Sequence, residues 1–230
     1  MPLMGKGTLG DLIKSGRIVH EPTIWYWLSQ ALAGLSALAD NQMVHCDIKP
    51  ANLFLDDDYN LKIGDFGFLA VGKPEAPIVQ FGTPEFQPPE VYSGGHIGPK
   101  IDVWALAVSF ISLITSQYPW PHDKRHKPMD QRRKETKEGH RIMFAKGRSR
   151  FSLSKVAHFV PSHSLQHLLC EVMMQPNPAN RLRAAELLQL PEFLLVQQQR
   201  ISRPASSAGS VPCHCRSDCA SAQHLARTLH

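Results

Sequence analysis

Four side chains able to do chemistry together stand within nineteen residues: Asp47, Lys49, Asn52 and Asp65. The two carboxylates lie eighteen positions apart, with the lysine and the amide between them. Short apolar runs, Leu53–Leu55 and Leu61–Ile63, flank a polar turn at Asp56–Asn60, so the stretch Val44 to Gly67 reads as a hairpin with a polar loop at each end. Such a set suits phosphoryl transfer, where a protein orients a hydroxyl, neutralises phosphate charge and holds Mg²⁺, and does little covalent work itself.

Loops of this kind need a packed scaffold behind them. Between Glu21 and Asp40, apolar residues recur at Ile24, Leu28, Ala31, Leu35 and Leu38, with Pro22 tolerated in the first turn, which predicts an amphipathic helix delivering the chain to the loop. Trp25 and Trp27 read as packing residues on it. Asp102 to Thr115 is apolar nearly all round, as expected of a helix buried mid-domain. Ser164 to Met174 and Ala184 to Leu190 predict two further helices, the second ending at Pro191. The fold class is therefore mainly α with short β-hairpins at the functional loops.

The chain has 230 residues, 43% hydrophobic and 20% charged, enough for one or two domains with a sizeable core. The longest mostly apolar run, Val103 to Ile114, falls short of the roughly 18 residues of a membrane span, so none is expected. No secretory signal opens the sequence, and five unevenly spaced cysteines make no disulfide framework. An intracellular compartment, cytoplasmic or nuclear, is expected. Charge is local: His122 to Arg150 holds eleven Lys/Arg against four Asp/Glu, a net of +7, which leaves the other 201 residues at −2. That stretch reads first as a solvated insertion beside a surface helix and next as a dock for an acidic protein partner. Nucleic acid fits least, because Phe144 is its only aromatic.

The stretch V-H-C-D-I-K-P-A-N followed by D-F-G resembles the eukaryotic protein kinases, whose catalytic loop reads H-R-D-x-K-x-x-N and whose metal-binding loop reads D-F-G. The resemblance implies that Asp47 accepts or orients the proton of the substrate hydroxyl, that Lys49 neutralises the transferring phosphoryl group, and that Asn52 and Asp65 share Mg²⁺. It implies Phe54 as an apolar floor beneath the adenine of ATP and an adenine contact along the backbone of Pro2, Leu3 and Met4. His45 and Phe66 would pack in support. D-x-K-P-x-N is similar to the Ser/Thr-specific members, and G-T-P-E-F-Q-P-P-E resembles the end of their activation segment, with Thr83 bonding toward Asp47 and Lys49. D-V-W-A resembles the helix whose aspartate, here Asp102, braces the catalytic loop, and P-N-P-A-N-R places Arg181 to pair with Glu90.

One departure matters. Cys46 replaces the arginine that pairs with a phosphorylated activation loop, and residues 68–82 contain no Ser, Thr or Tyr, so control by phosphate upstream of Thr83 is not expected. Cys46 itself reads as a small apolar filler. Details of the motifs look like the Wee and Myt kinases or the NIMA-related ones. On this resemblance residues 1–196 are a hinge and a helical C-terminal lobe with a basic insertion at 121–150, and 197–230 are a disordered tail. The tail's Cys213, His214, Cys215 and Cys219 match no standard zinc spacing. The family's glycine-rich phosphate loop and strand lysine are expected upstream of this sequence, since G-K-G-T-L-G precedes a helix, not a second strand. Two functions follow: an ATP- and Mg²⁺-dependent kinase acting on Ser/Thr of protein substrates, or a catalytically inactive C-lobe fragment serving as a protein-binding or regulatory module.

Overall fold

The computed structural model describes residues 5–72, 82–94, 98–118, 127–144 and 161–201. Their order is α1 (Leu9–Lys14), α2 (Glu21–Asp40), β1 (Met43–Val44), β2 (Leu53–Leu55), β3 (Leu61–Ile63), β4 (Ala70–Val71), α3 (Pro89–Tyr92), α4 (Lys100–Thr115), α5 (Met129–Met143), α6 (His163–His167), α7 (Ala184–Leu187) and α8 (Pro191–Ile201). Single 3-10 turns stand at Pro50–Asn52 and Pro84–Phe86, and α6 runs on into a π-helical stretch, Leu168–Met173.

Helix α4 is the centre. Fifteen of its sixteen residues are buried, as its all-round apolar sequence requires. Its three interior hydroxyls stay satisfied by donating to carbonyls four residues back: Ser109 to Ala105 at 2.7 Å, Ser112 to Val108 at 2.9 Å, Thr115 to Ile111 at 2.8 Å. The predicted α2 stripe of Ile24, Leu28, Ala31 and Leu35 is buried against the same core. Trp27 donates its indole N–H to the Tyr59 carbonyl at 2.8 Å, and the Trp25 ring meets Phe193 edge-on at 5.3 Å, so both tryptophans pack.

Strands β2 and β3 form the expected hairpin, with Leu53 opposite Ile63 and Leu55 opposite Leu61. Asp56 organises its turn, accepting from the N–H of Asp58 at 3.1 Å and of Asn60 at 2.8 Å, while Tyr59 takes the left-handed conformation. A second, unforeseen ribbon pairs β1 with β4, Met43 opposite Val71, and so clamps both ends of the loop segment. Helix α8 continues past residue 196, across the boundary expected for the tail; residues 202–230 lie outside the described ones. No helix among the described residues is long and apolar enough to cross a membrane.

Helix α5 is the main correction. Part of the basic stretch is no solvated insertion, because Thr136, Gly139, His140 and Met143 are buried at helical spacing against the core. Their modest hydrophobicity hid the stripe.

Candidate active site

The loop from β1 to β2 carries three of the four chemical side chains, and its backbone is bent into place by Asp102 of α4. Both Asp102 oxygens accept backbone N–H groups, His45 at 2.7 Å and Cys46 at 3.0 Å, and Cys46 adopts a φ of 67°. A left-handed non-glycine residue carries local strain, which these two bonds to a buried carboxylate compensate. Burial pushes the Asp102 carboxyl up to about 7, against those same two bonds, which pull it down.

His45 ties the loop to the hairpin. Its Nδ1 accepts from the Asp47 N–H at 3.3 Å, which leaves Nε2–H to donate to the Gly64 carbonyl at 3.1 Å. That tautomer is neutral, in keeping with burial holding His45 below the usual imidazole range. The Gly64 N–H in turn reaches the Asn52 carbonyl at 3.0 Å, so Asn52 and Asp65 flank the same end of the hairpin. Gly64 must be small, because a Cβ there would lie 2.8 Å from the Phe54 ring.

Around Asp47 the structure closes a compact polar cluster. Lys49 Nζ donates to Asp47 Oδ2 at 2.6 Å and to Thr83 Oγ1 at 3.1 Å. Thr83 donates both its hydroxyl, at 2.7 Å, and its N–H, at 2.8 Å, to Asp47 Oδ1. The Asn52 amide nitrogen donates to the Asp47 carbonyl at 2.8 Å and to Oδ2 at 3.2 Å. Gly82 permits this approach: its φ is +71°, and a Cβ would fall 2.2 Å from the Cys46 carbonyl oxygen. Asp47 is thus a nearly inaccessible carboxylate fully engaged by donors, one of them a half-buried ammonium. Such a carboxylate can take or orient a hydroxyl proton, with the cation beside it for a transferring anion.

Asp65 is exposed, at a φ of 63°. Among the described residues no group of three or more His, Cys, Asp or Glu could hold a metal. The donor set still fits Mg²⁺, which takes one or two protein oxygens and completes its shell with phosphates and water. The Asn52 nitrogen is spent on Asp47, which leaves its side-chain oxygen as the atom it would offer a cation, and Asp65 offers an exposed carboxylate from the adjoining loop. Phe54 is half-buried on β2, where it bridges Thr8, while Pro2, Leu3 and Met4 lie outside the described residues. A cavity of about 20 Å³ behind Asp47 and Thr83, against α4, has room for a water and not for a nucleotide.

Phe66 packs on His45 as expected, though from one side. Its ring lies 5.2 Å from that of His45, yet 49% of the residue is exposed, so it packs on one side alone. Cys46 is inert, as expected of a filler, since burial and the Asp102 charge push its thiol up to about 12.

Arg181 reaches Glu90 through two bonds, Nη1 to Oε1 at 2.7 Å and Nη2 to Oε2 at 3.1 Å. Its remaining donors cap the Gln175 and Lys100 carbonyls, and its guanidinium lies 5.0 Å from the Trp104 ring centre. A second buried pair was missed by sequence reasoning: Arg132 of α5 forks onto Glu85, whose side chain is 1% exposed. The signal available was an unpaired glutamate in an apolar motif and an arginine-rich helix downstream. Lys127 pairs with Glu135, Arg133 with Asp130 and Arg141 with Glu138 as well, so most of the Lys and Arg described in this stretch already face a carboxylate, while Lys124, Arg125, Lys146, Arg148 and Arg150 lie outside the described residues.

A family profile described as the protein kinase domain matches residues 1–193. The chain is 34% identical over 118 residues to the cell cycle serine/threonine-protein kinase CDC5/MSD2 of Saccharomyces cerevisiae, covering 50% of this chain and 17% of that protein. It is 30% identical over 184 residues to the inactive serine/threonine-protein kinase PLK5 of Mus musculus, covering 79% of this chain and 28% of that protein. Mitogen-activated protein kinase kinase kinase 3 of Homo sapiens is 35% identical over 127 residues, 52% of this chain and 20% of that protein. The matched segments thus span less than a third of each of these relatives.

Proposed function

Because this chain belongs to the protein kinase family, we propose that its Asp47 cluster serves ATP-dependent transfer of a phosphoryl group to serine or threonine hydroxyls of intracellular protein substrates. The observation that carries the reading is the convergence of Lys49, Thr83 and Asn52 on one buried carboxylate. In it, Asp47 orients the acceptor hydroxyl and takes its proton, and Lys49 stands by the transferring group. Thr83 and Asn52 hold Asp47 in register. Asn52 and Asp65 would hold Mg²⁺, which would supply charge neutralisation at the phosphates. Phe54 and the backbone of Pro2, Leu3 and Met4 take the adenine. Residues 1–196 are read as the hinge and helical C-terminal lobe, and 197–230 as a tail. The relatives carry several kinase names, and no subfamily is assigned.

One observation favours a second reading, a binding module without catalysis: a relative covering 79% of this chain bears the name inactive. Transfer of labelled γ-phosphate to a serine/threonine peptide library separates the two, measured on the full-length protein carrying this sequence. Mg²⁺-dependent transfer that Asp47→Asn abolishes supports the kinase. Transfer no greater than that of the Asp47→Asn variant supports the module.

A further inference from the structure

Thr83 is the first residue of a short rigid unit. The Phe86 N–H bonds the Thr83 carbonyl at 3.1 Å, and the Gln87 N–H bonds the Pro84 carbonyl at 3.0 Å, closing the 3-10 turn. Three elements outside the turn grip it. The Tyr92 hydroxyl of α3 donates to the Pro84 carbonyl at 3.0 Å. The Tyr118 ring, beyond α4, meets Phe86 edge-on at 5.6 Å. Arg132 of α5 donates from Nε and Nη2 to the two oxygens of Glu85.

The third grip differs in kind. Glu85 is buried, while the Arg132 side chain is 27% exposed, so the guanidinium is the lid over that carboxylate. A fork of two parallel bonds sets orientation as well as distance, which a single ammonium contact does not. Glu85 and Thr83 are two residues apart in the same turn, and Thr83 gives both its donors to Asp47 Oδ1. A shift of the Glu85 backbone is therefore transmitted to the bonds that orient Asp47.

We propose that Arg132 is a positioning residue for the catalytic loop: by pinning Glu85, helix α5 sets the register of Thr83 on Asp47 and Lys49. This rests on the proposed role of Asp47 for its functional meaning, while the coupling itself stands on the geometry. The basic stretch thereby has a task inside the molecule, the alignment of the turn that faces Asp47.

Residue-resolved amide hydrogen exchange on the full chain tests it without phosphoryl transfer, so it can fail while Asp47 remains the proton acceptor, and a kinase assay can fail while it succeeds. In Arg132→Gln the Thr83 N–H is expected to exchange roughly 10-fold faster relative to Leu106 in α4, a local opening and not a global one. The reversed pair, Glu85→Arg with Arg132→Glu, is expected to bring the ratio back to within about 3-fold of the parent. An unchanged Thr83-to-Leu106 ratio in Arg132→Gln overturns the proposal, as does a reversed pair that folds without restoring it. Should Arg132→Gln not fold, the reversed pair decides: parent-like Thr83 protection supports the tether, and fast exchange overturns it.

Discussion

Asp47 and Glu90 are both buried carboxylates facing a cation, and they are held in opposite ways. Glu90 meets Arg181, a side chain with no exposed surface, whose five donors are shared among Glu90, Gln175 and Lys100. Its partners are fixed by packing on Trp104, and nothing in that arrangement can leave. Asp47 meets Lys49, whose side chain is 25% exposed, and Thr83, a hydroxyl from a separate segment. An ammonium on a flexible stem can turn toward an incoming anion, whereas a guanidinium locked by carbonyls cannot. The lesson is that burial of a carboxylate does not separate scaffold from site; the freedom of its partners does.

The sharpest way to break the comparison is Asp47→Asn. Under the kinase reading, phosphoryl transfer falls by about 10²- to 10⁴-fold while the melting midpoint moves by less than ~4 °C, checked by pairing an activity assay with calorimetry. A collapse of the midpoint would place Asp47 with Glu90 as scaffold. Arg181→Ala is its counterpart. It leaves the Glu90 carboxylate and two carbonyls without their donors, and denaturant unfolding is expected to show a loss of about 3–5 kcal/mol. A variant as stable as the parent would remove Glu90–Arg181 from the scaffold.

Acid should probe the same scaffold from the side. His140 lies edge-on to Trp104 at 5.4 Å and to Tyr92 at 5.8 Å, and burial, reinforced by the Arg181 charge, pushes its imidazole down to about 3. The unfolded chain binds that proton near pH ~6.5 and the folded chain only near pH 3, so the unfolded state holds more protons between the two. Stability is therefore lost as pH falls through this window, at up to about 1.4 kcal/mol per pH unit from His140. His45 acts in the same direction, and Asp102, pushed up to about 7, acts in the opposite one. Comparing His140→Phe with the parent isolates one group: urea midpoints between pH 6 and 4 should decline less steeply in the variant. Equal slopes would show that His140 is protonated in the fold.

The smallest effect serves as a control outside both networks. Thr8 caps α1 through a reciprocal pair with Asp11, its hydroxyl accepting the Asp11 N–H at 3.2 Å and its own N–H meeting Asp11 Oδ2 at 3.0 Å. Thr8→Ala is expected to cost about 1 kcal/mol in thermal unfolding with phosphoryl transfer unaffected. A larger loss would mean that α1 supports the loop more than its exposed cap suggests.

Much of the site was legible because its residues are close in sequence. Asp47, Lys49 and Asn52 share one loop, and Asp65 follows one hairpin later, so alternation and turn chemistry alone bring them to one end. Helix α2 was read to its ends, because four-and-three spacing with proline in the first turn leaves little choice. Helix α5 was misread because its buried face is built of Thr136, Gly139, His140 and Met143, which scarcely register as apolar beside so many charges. Phe66 was legible as a packing residue beside His45, while the exposure of its other side was decided by tertiary packing.

By itself, then, the sequence determined the loop from β1 to β2, the hairpin, the long helices and the membership of the family, because these depend on spacings of a few residues. Tertiary structure decided which charges are already spoken for: Arg181 with Glu90 across 91 positions, Arg132 with Glu85 across 47, Thr83 with Asp47 across 36. The physical reason is that an ion pair or a buried hydrogen bond is set by the approach of two backbones, and no local periodicity encodes that distance. Whether a lysine or arginine is free for a ligand can be read only once the carboxylates near it in space are known.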